Sequence, residues 1–283
     1  MPEARDYLVE LISGLVERYD VRFIRGLAES GPGVKAGKPF YWESLDPTGK
    51  AQFAHVQGLY RVLETLLSRH PKLMLELCTG GGNRMDLGCL KRHHTCWFSD
   101  MSGHPHVVHA MQLSASTFLP AYYLGSGFGA SKGGGVAGLD AASPDLPFIS
   151  RMAGEFFIYG RIAEWPAAVR ERARHWIKVF KNIRHLLVQD YYRLLPAPQS
   201  DSDWDAGQFY GGTAEGVVFV FRYSGAVDYR DLFLRSLDPQ ARYRFRNEGN
   251  GAERLLAGEQ LLNEGFRVEL APNEAEMWSY GRL

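Results

Sequence analysis

Apolar residues recur at two different spacings along the chain, and the spacing changes near residue 195. Up to that point, stretches with one apolar face at helical spacing alternate with short apolar runs. This alternation predicts a parallel sheet whose strands are joined by right-handed helical crossovers. Helices are predicted over residues 4–19, 52–68, 86–92, 107–114 and 167–187, and strands over 21–25, 73–77, 95–99, 118–124 and 156–159.

After Pro196 and Pro198 the spacing becomes that of β-strands. Runs that begin at Gly216, Ala241 and Phe266 alternate apolar and polar residues and are separated by turn residues, with one helical pattern over 252–256. The pattern therefore predicts two domains. These are an α/β domain over residues 1–197 and a small antiparallel β-domain over residues 198–283.

Two glycine-rich stretches interrupt the first part of the chain. Residues 26–47 are rich in Gly, Pro and Lys and are predicted to be a long loop. Residues 125–147 have few apolar anchors and are predicted to be a mobile loop or lid.

Composition narrows the class of protein. The 283 residues carry a formal net charge of +0, which gives no electrostatic reason to expect nucleic acid or an anionic membrane as partner. The aromatic content of 13% suits an uncharged ligand such as a sugar. An odd number of cysteines, a polar start without a signal peptide and no bilayer-length apolar run predict a soluble cytoplasmic protein.

Polar groups follow two neighbouring predicted strands. The strand over 73–77 ends at Cys78 and a run of three glycines, and the strand over 95–99 ends at Asp100. Ligands of α/β proteins bind at the carboxyl ends of parallel strands, so these residues predict a binding site. A phosphate cradle is the rival reading of the glycines, but no Gly-Lys-Ser/Thr follows them.

Segments 76–88 and 97–100, which read ELCTGGGNRMDLG and WFSD, resemble the α-galactosidases of glycoside hydrolase family 36, in clan D. The resemblance extends from about residue 5 to the end of the chain. Members of that family are retaining enzymes with a (β/α)8 barrel and a C-terminal antiparallel β-domain. The resemblance therefore implies an α/β fold, a partial (β/α)8 TIM barrel (strands 4 to 8) followed by that β-domain.

By this resemblance, Asp100 is the catalytic acid/base of an enzyme that hydrolyses terminal α-galactosides. The residues implied to contact substrate are Arg25, Cys78, Gly80, Gly81 and Trp97. Each has a simpler alternative. Asp100 can cap the helix that begins near His106, while Cys78 and Trp97 can be core residues and Arg25 can be structural.

The family's nucleophile aligns with Leu27, which cannot attack an anomeric carbon. The nearest carboxylate, Glu29, is interpreted as a solvated loop residue. We therefore expect this chain to lack ordinary retaining activity. The alternative is a non-catalytic carbohydrate-binding remnant, or a subunit that completes its barrel with a partner chain. The resemblance implies no cofactor, and it leaves a homo-oligomer open.

A dense group of metal-ligand residue types lies just after the glycine run. It comprises His93, His94, Cys96, Asp100, His104, His106 and His109. A zinc site is the alternative that this group raises, although the spacing matches no standard zinc pattern.

Overall fold

The computed structural model describes residues 2–26, 46–78, 80–101, 103–129, 144–212 and 215–283. The chain packs as two compact units, residues 1–100 and 101–283. The predicted division at residues 197 and 198 stays a prediction. In the described part of the chain, no helix is both long enough and apolar enough to cross a membrane.

The first unit consists of three parallel strands and their connecting helices. In chain order its elements are α1 (Pro2–Tyr19), β1 (Phe23–Arg25), α2 (Lys50–Arg69), β2 (Met74–Leu77), α3 (Leu87–Leu90) and β3 (Thr95–Trp97). Strand β2 lies between the other two, with Arg25 opposite Glu76 and Glu76 opposite Thr95. All the helices and strands predicted for this part exist, with bounds within a few residues.

Strand alternation gives the sheet of this unit two different faces. Leu75 and Ile24 lie in the core that α1 and α2 form over the sheet, together with Val9, Val16 and Leu66. Because successive side chains of a strand point to opposite faces, Phe23, Arg25 and Glu76 point away from the helices. This second face carries the polar residues at the strand ends.

The second unit begins with helices and two parallel strands and continues as antiparallel sheet. Its first elements are α4 (Pro105–Ala115), β4 (Leu124–Gly129), α5 (Leu146–Ile149), β5 (Phe156–Tyr159) and α6 (Ala167–Ile183). The elements that follow are β6 (Asp190–Arg193), β7 (Trp204–Tyr210), β8 (Glu215–Arg222), β9 (Tyr229–Leu232), β10 (Arg242–Asn247), β11 (Glu253–Ala257), α7 (Gly258–Asn263), β12 (Phe266–Glu269) and β13 (Ala275–Arg282). Short 3-10 turns cover Ala121–Tyr123, Ile162–Glu164 and Leu186–Val188.

A six-stranded antiparallel sheet with the order β11-β10-β13-β8-β7-β6 lies at the centre of this unit. Its strands β7 and β8 are buried on both faces. One face packs Phe209, Phe219 and Phe221 against Trp176 and its neighbours on α6. The other face packs a second group of side chains against the small sheet of β9 and β12, including Val218, Val220, Trp278, Phe266 and Val268.

Three sequence predictions for this unit were wrong. The strand expected over 118–124 lies at Leu124–Gly129, and the expected helix over 252–256 is strand β11. The predicted loop over 125–147 therefore begins as a strand and ends in α5, while residues 130–143 lie outside the described residues. The strand LGSGFG was missed because glycine disfavours strands, yet here it fits the packing. A Cβ on Gly129 would lie 2.6 Å from the carbonyl oxygen of Tyr159 on β5.

Candidate functional site

The polar face of the first unit carries two layers of side chains at the carboxyl ends of its strands. Arg25, Glu76 and Thr95 lie side by side, because the strand register pairs them across β1, β2 and β3. Cys78 and Trp97 lie one layer further along β2 and β3, and both are buried. The register alone therefore brings three of the predicted substrate contacts, Arg25, Cys78 and Trp97, to one place.

Arg25 connects these two layers. Its terminal nitrogen donates to the sulfur of Cys78 at 3.3 Å, and its Nε lies 3.4 Å from Oε1 of Glu76. The guanidinium carbon lies 4.5 Å from the centre of the Trp97 ring, a cation–π distance. The side chain of Arg25 remains 44% exposed, so the guanidinium is held by its neighbours and still reaches solvent.

The glycine turn packs against the segment that follows β3. Gly80 and Gly81 have φ angles of 51° and 75°, the left-handed region that favours glycine. A Cβ on Gly81 would lie 3.0 Å from the backbone nitrogen of Asp100. A Cβ on Gly82 would lie 2.6 Å from the carbonyl oxygen of Phe98. The two predicted chemical segments, 80–82 and 98–100, are therefore in direct backbone contact.

Asp100 is exposed, and its neighbour Ser99 is half-buried. The alternative role of Asp100 as a helix cap is wrong, because α4 begins at Pro105 and its N-cap position is His104.

Asp86 fixes the far end of the glycine loop. Its Oδ1 accepts hydrogen bonds from the backbone N–H of Cys89 at 2.9 Å and from the Tyr60 hydroxyl at 3.0 Å. Burial alone would raise the pKa of Asp86, but these hydrogen bonds outweigh it and the pKa is lowered. Burial, with the hydrogen bond to Asp86 as the next cause, raises the pKa of Tyr60 to about 12. Asp86 thus starts α3 as a charged cap and anchors it to α2.

The histidines predicted as a possible zinc site include His93 and His94, which bond to backbone groups, and His106 and His109, which bond to each other. Among the described residues, no three His, Cys, Asp or Glu side chains are arranged to hold a metal ion. His94 Nδ1 accepts from the backbone N–H of Leu75 at 3.0 Å, and His93 Nδ1 lies 2.7 Å from the carbonyl oxygen of Cys89. Burial lowers the pKa of His93, which favours the neutral ring that donates to this carbonyl.

His106 and His109 form a hydrogen-bonded relay inside the second unit. Asp205 is fully buried on β7, and its two carboxylate oxygens lie 2.6 Å from a guanidinium nitrogen of Arg193 and 3.0 Å from His109 Nδ1. His109 Nε2 lies 3.0 Å from His106 Nδ1, and His106 Nε2 lies 3.1 Å from Asn273 Oδ1. This relay joins α4, β6, β7 and the loop that precedes β13.

Burial keeps both rings of the relay neutral near pH 7. It lowers the pKa of His109, and with the nearby His109 ring as the next cause it lowers the pKa of His106 to about 4. Neutral His109 donates to Asp205 from Nδ1 and accepts from His106 at Nε2. Nε2 of neutral His106 is then an acceptor, so the amide of Asn273, whose Oδ1 lies 3.1 Å away, must turn by 180° to present its NH2 group. If His106 is protonated, its Nε2–H donates to Oδ1 of Asn273 without this turn.

Two buried carboxylates, Glu76 and Asp205, have roles that the sequence does not predict. Glu76 belongs to the motif, but only the register of β1 and β2 reveals that its carboxylate meets Arg25. Asp205 lies 96 positions from His109 along the chain, and nothing in either local sequence connects them. The signal that was available is a carboxylate within an apolar run, as in LEL and in WDAGQF. Leu27 and Glu29, which bear on the nucleophile, lie outside the described residues.

Known proteins resemble the chain in sequence. A family model described as Melibiase matches residues 1–190. Probable alpha-galactosidase C of Aspergillus terreus is 25% identical over 276 residues, which cover 94% of this chain and 34% of that protein. Alpha-galactosidase 2 of Hypocrea jecorina is 24% identical over 275 residues, with 95% and 34% covered. The chain therefore spans about a third of the length of these curated relatives.

Solved structures resemble it in fold. A variant of the family 36 α-galactosidase AgaA from Geobacillus stearothermophilus, in complex with raffinose, has a TM-score of 0.80 at 23% identity. The match covers 100% of this chain and 38% of that chain. An α-galactosidase from Lactobacillus brevis gives a TM-score of 0.81 at 18% identity, with 100% and 38% covered. These likenesses confirm the predicted fold class, a partial (β/α)8 barrel followed by a C-terminal antiparallel β-domain.

Proposed function

Because the chain belongs to the melibiase family of α-galactosidase-like glycoside hydrolases, we propose that it recognises terminal α-galactosides. The proposed substrate contacts are Arg25, Cys78, Gly80, Gly81 and Trp97, with Asp100 as the acid/base of the parent reaction. Two variants of AgaA support the choice of ligand, since one was solved with raffinose and the other with stachyose.

One observation carries this proposal. The glycine turn abuts the backbone of Asp100 at Gly81, while Arg25 lies against both Cys78 and the ring of Trp97. An exposed carboxylate and a charged donor thus belong to one strand-end surface, and the buried ring of Trp97 supports the donor. A sugar fits such a surface, because hydrogen-bond donors and acceptors bind its hydroxyls.

Hydrolysis with retention needs a second carboxyl group, about 5–5.5 Å from the first, to attack the anomeric carbon. Leu27 stands where the family's nucleophile aligns. In the parent retaining reaction the acid/base protonates the leaving oxygen while the nucleophile bonds to the anomeric carbon, and it then deprotonates the water that displaces the nucleophile. We propose Asp100 for the acid/base, but leucine at position 27 cannot form the glycosyl intermediate. We therefore expect recognition to be retained and turnover by this chain alone to be very slow.

Turnover of an aryl α-galactoside tests the hydrolytic part. Any turnover by this chain should fall at least about 100-fold in Asp100→Asn, since general acid catalysis contributes factors of that size. Asp190→Asn, which changes an exposed carboxylate on β6, serves as the matched control and should leave the rate within twofold. Turnover that Asp100→Asn leaves unchanged would overturn the assignment of the acid/base.

A second candidate function is carbohydrate binding without catalysis, either alone or as a subunit that completes its barrel with a partner chain. Leu27, at the position that aligns with the family's nucleophile, favours it. Galactose binding by calorimetry without detectable turnover would support this candidate. Absence of galactose binding would contradict both candidates.

A further inference from the structure

Glu76 is a buried acid in the polar layer of the first unit. Its side chain is 3% exposed, and glutamate is rarely buried to this extent unless a cation or hydrogen-bond donors meet it. The strand register places it between Arg25 on one side and Thr95 on the other. Its backbone carbonyl also accepts from Gly26 N–H at 3.3 Å, so it fixes the end of β1 through its main chain as well.

The guanidinium of Arg25 has an inner nitrogen that contacts Glu76 and terminal nitrogens that lie nearer the solvent. The inner nitrogen, Nε, lies 3.4 Å from Oε1 of Glu76, which is an ion-pair contact rather than a hydrogen bond. A terminal nitrogen donates to the sulfur of Cys78, one layer further along the strands. The guanidinium carbon lies 4.5 Å from the centre of the Trp97 ring. Glu76 therefore contacts the one nitrogen that lies furthest from the exposed end of the side chain.

An arginine that is 44% exposed loses much of its rotamer freedom only if its neighbours restrain it. Exposed ion pairs restrain weakly because water screens them, but here one partner is buried in the sheet. The carboxylate cannot follow the arginine outward, since its own strand fixes it. The restraint thus acts in one direction and holds the guanidinium down beside Trp97.

We infer that Glu76 is a positioning residue, which holds Arg25 over Trp97 so that the terminal nitrogens face a sugar hydroxyl at the strand ends. This inference rests on the proposed function for the identity of the ligand. Its structural part, the restraint of Arg25 by Glu76, stands on the described contacts. Glu76 itself contacts no substrate in this account.

The restraint is tested by the Nε–H resonance of Arg25 in 15N NMR, assigned by its loss in Arg25→Lys. Exchange of this proton with water should accelerate about tenfold in Glu76→Gln, because the neutral amide holds the guanidinium more weakly than the carboxylate does. Glu76→Asp, which keeps the charge but shortens the side chain by one methylene, should give an intermediate rate. It also serves as the second variant if Glu76→Gln is poorly folded by circular dichroism.

The chain offers a matched control in the same unit. Arg92 donates from Nε to Glu64 at 2.8 Å and lies 4.0 Å from the centre of the Tyr60 ring, so it has the same kinds of partner away from the site, with the glutamate exposed instead of buried. Glu64→Gln should change the Nε–H resonance of Arg92 and leave that of Arg25 within twofold. An unchanged Arg25 resonance in both Glu76 variants would overturn the inference.

Galactose titration supplies the second arm and separates the two proposals. Glu76→Gln should weaken galactose binding about tenfold, as loss of a charge-assisted contact does, while Glu64→Gln leaves it within twofold. If the unmodified chain does not bind galactose, but exchange of the Arg25 Nε–H is faster in the Glu76 variants as expected, the proposed function is wrong and the restraint stands. If it binds galactose equally well with and without the Glu76 carboxylate, the positioning role is wrong and the proposed function stands.

Discussion

Replacement of Asp205 by asparagine should destabilise the second unit strongly. The carboxylate is fully buried and accepts from Arg193 at 2.6 Å and from His109 at 3.0 Å, and the side chains of these partners are 14% and 0% exposed. An asparagine has one acceptor oxygen, so at least one of these partners faces an N–H group and the guanidinium loses its counter-charge.

The expected cost follows from the lost contacts. A hydrogen bond to a charged group contributes about 1.5–3 kcal/mol, and breaking a buried ion pair costs about 3–5 kcal/mol. Since asparagine preserves one of the two hydrogen bonds, we expect a loss of about 3 kcal/mol. For a unit of this size that corresponds to a fall in melting temperature of roughly 6–12 °C.

A matched exposed pair tests whether burial is the cause. Asp231 receives two hydrogen bonds from Arg267, at 2.8 and 2.9 Å, but the two side chains are 30% and 58% exposed. Asp231→Asn should therefore cost less than about 1 kcal/mol. Urea unfolding followed by circular dichroism and by tryptophan fluorescence measures both variants. A cost below about 1.5 kcal/mol for Asp205→Asn, or equal costs for the two variants, would refute the reasoning.

Three further predictions concern the relay, the glycine turn and the cap. Between pH 6.5 and 4 the unfolded chain binds a proton at His106 that the folded ring, with its pKa lowered to about 4, does not bind. As the pH falls through this window, the free energy of unfolding should decrease by on the order of 2–3 kcal/mol. His106→Gln should flatten the measured dependence of stability on pH. Gly81→Ala should cost at least about 1–2 kcal/mol in urea unfolding, through its positive φ and its contact with the next segment, whereas Gly14→Ala in α1, where a Cβ meets nothing, should be neutral or stabilising. Asp86→Ala should cost about 1–2 kcal/mol in the same assay, and equal losses in Asp86→Asn, which still accepts from Cys89, would show that the cap is unimportant.

The parts of the fold that follow from local pattern could be predicted from the sequence. The helices of the first unit have long amphipathic faces, and its strands are short apolar runs that end at polar residues, so their order and direction were found. Strand β4 was displaced because its glycines are favourable only once β5 lies against them. The sequence of strand β11 does not predict a strand, because its apolar and polar residues do not alternate. Residues 253–257 are mostly exposed, so burial imposes no such pattern on them.

The candidate site was predictable to the same extent. Cys78, the glycine turn and Asp100 follow strands, so their clustering depends only on adjacent parallel strands. The exposure of Asp100 and the contact of Glu76 with Arg25 depend on register and on how the chain leaves each strand. The relay from Arg193 to Asn273 depends on tertiary packing between distant segments, which no local pattern encodes.

The position of β13 has a consequence for how the second unit is made. This strand, Ala275–Arg282, pairs with β8 on one side and β10 on the other, so it occupies the interior of the six-stranded sheet. A nascent chain shorter than residue 282 has the helices and flanking strands of this unit but a gap where the sheet should be continuous. Until synthesis passes that point, the backbone edges of β8 and β10 that pair with β13 stay open to other chains, and chaperone protection is needed most in that interval.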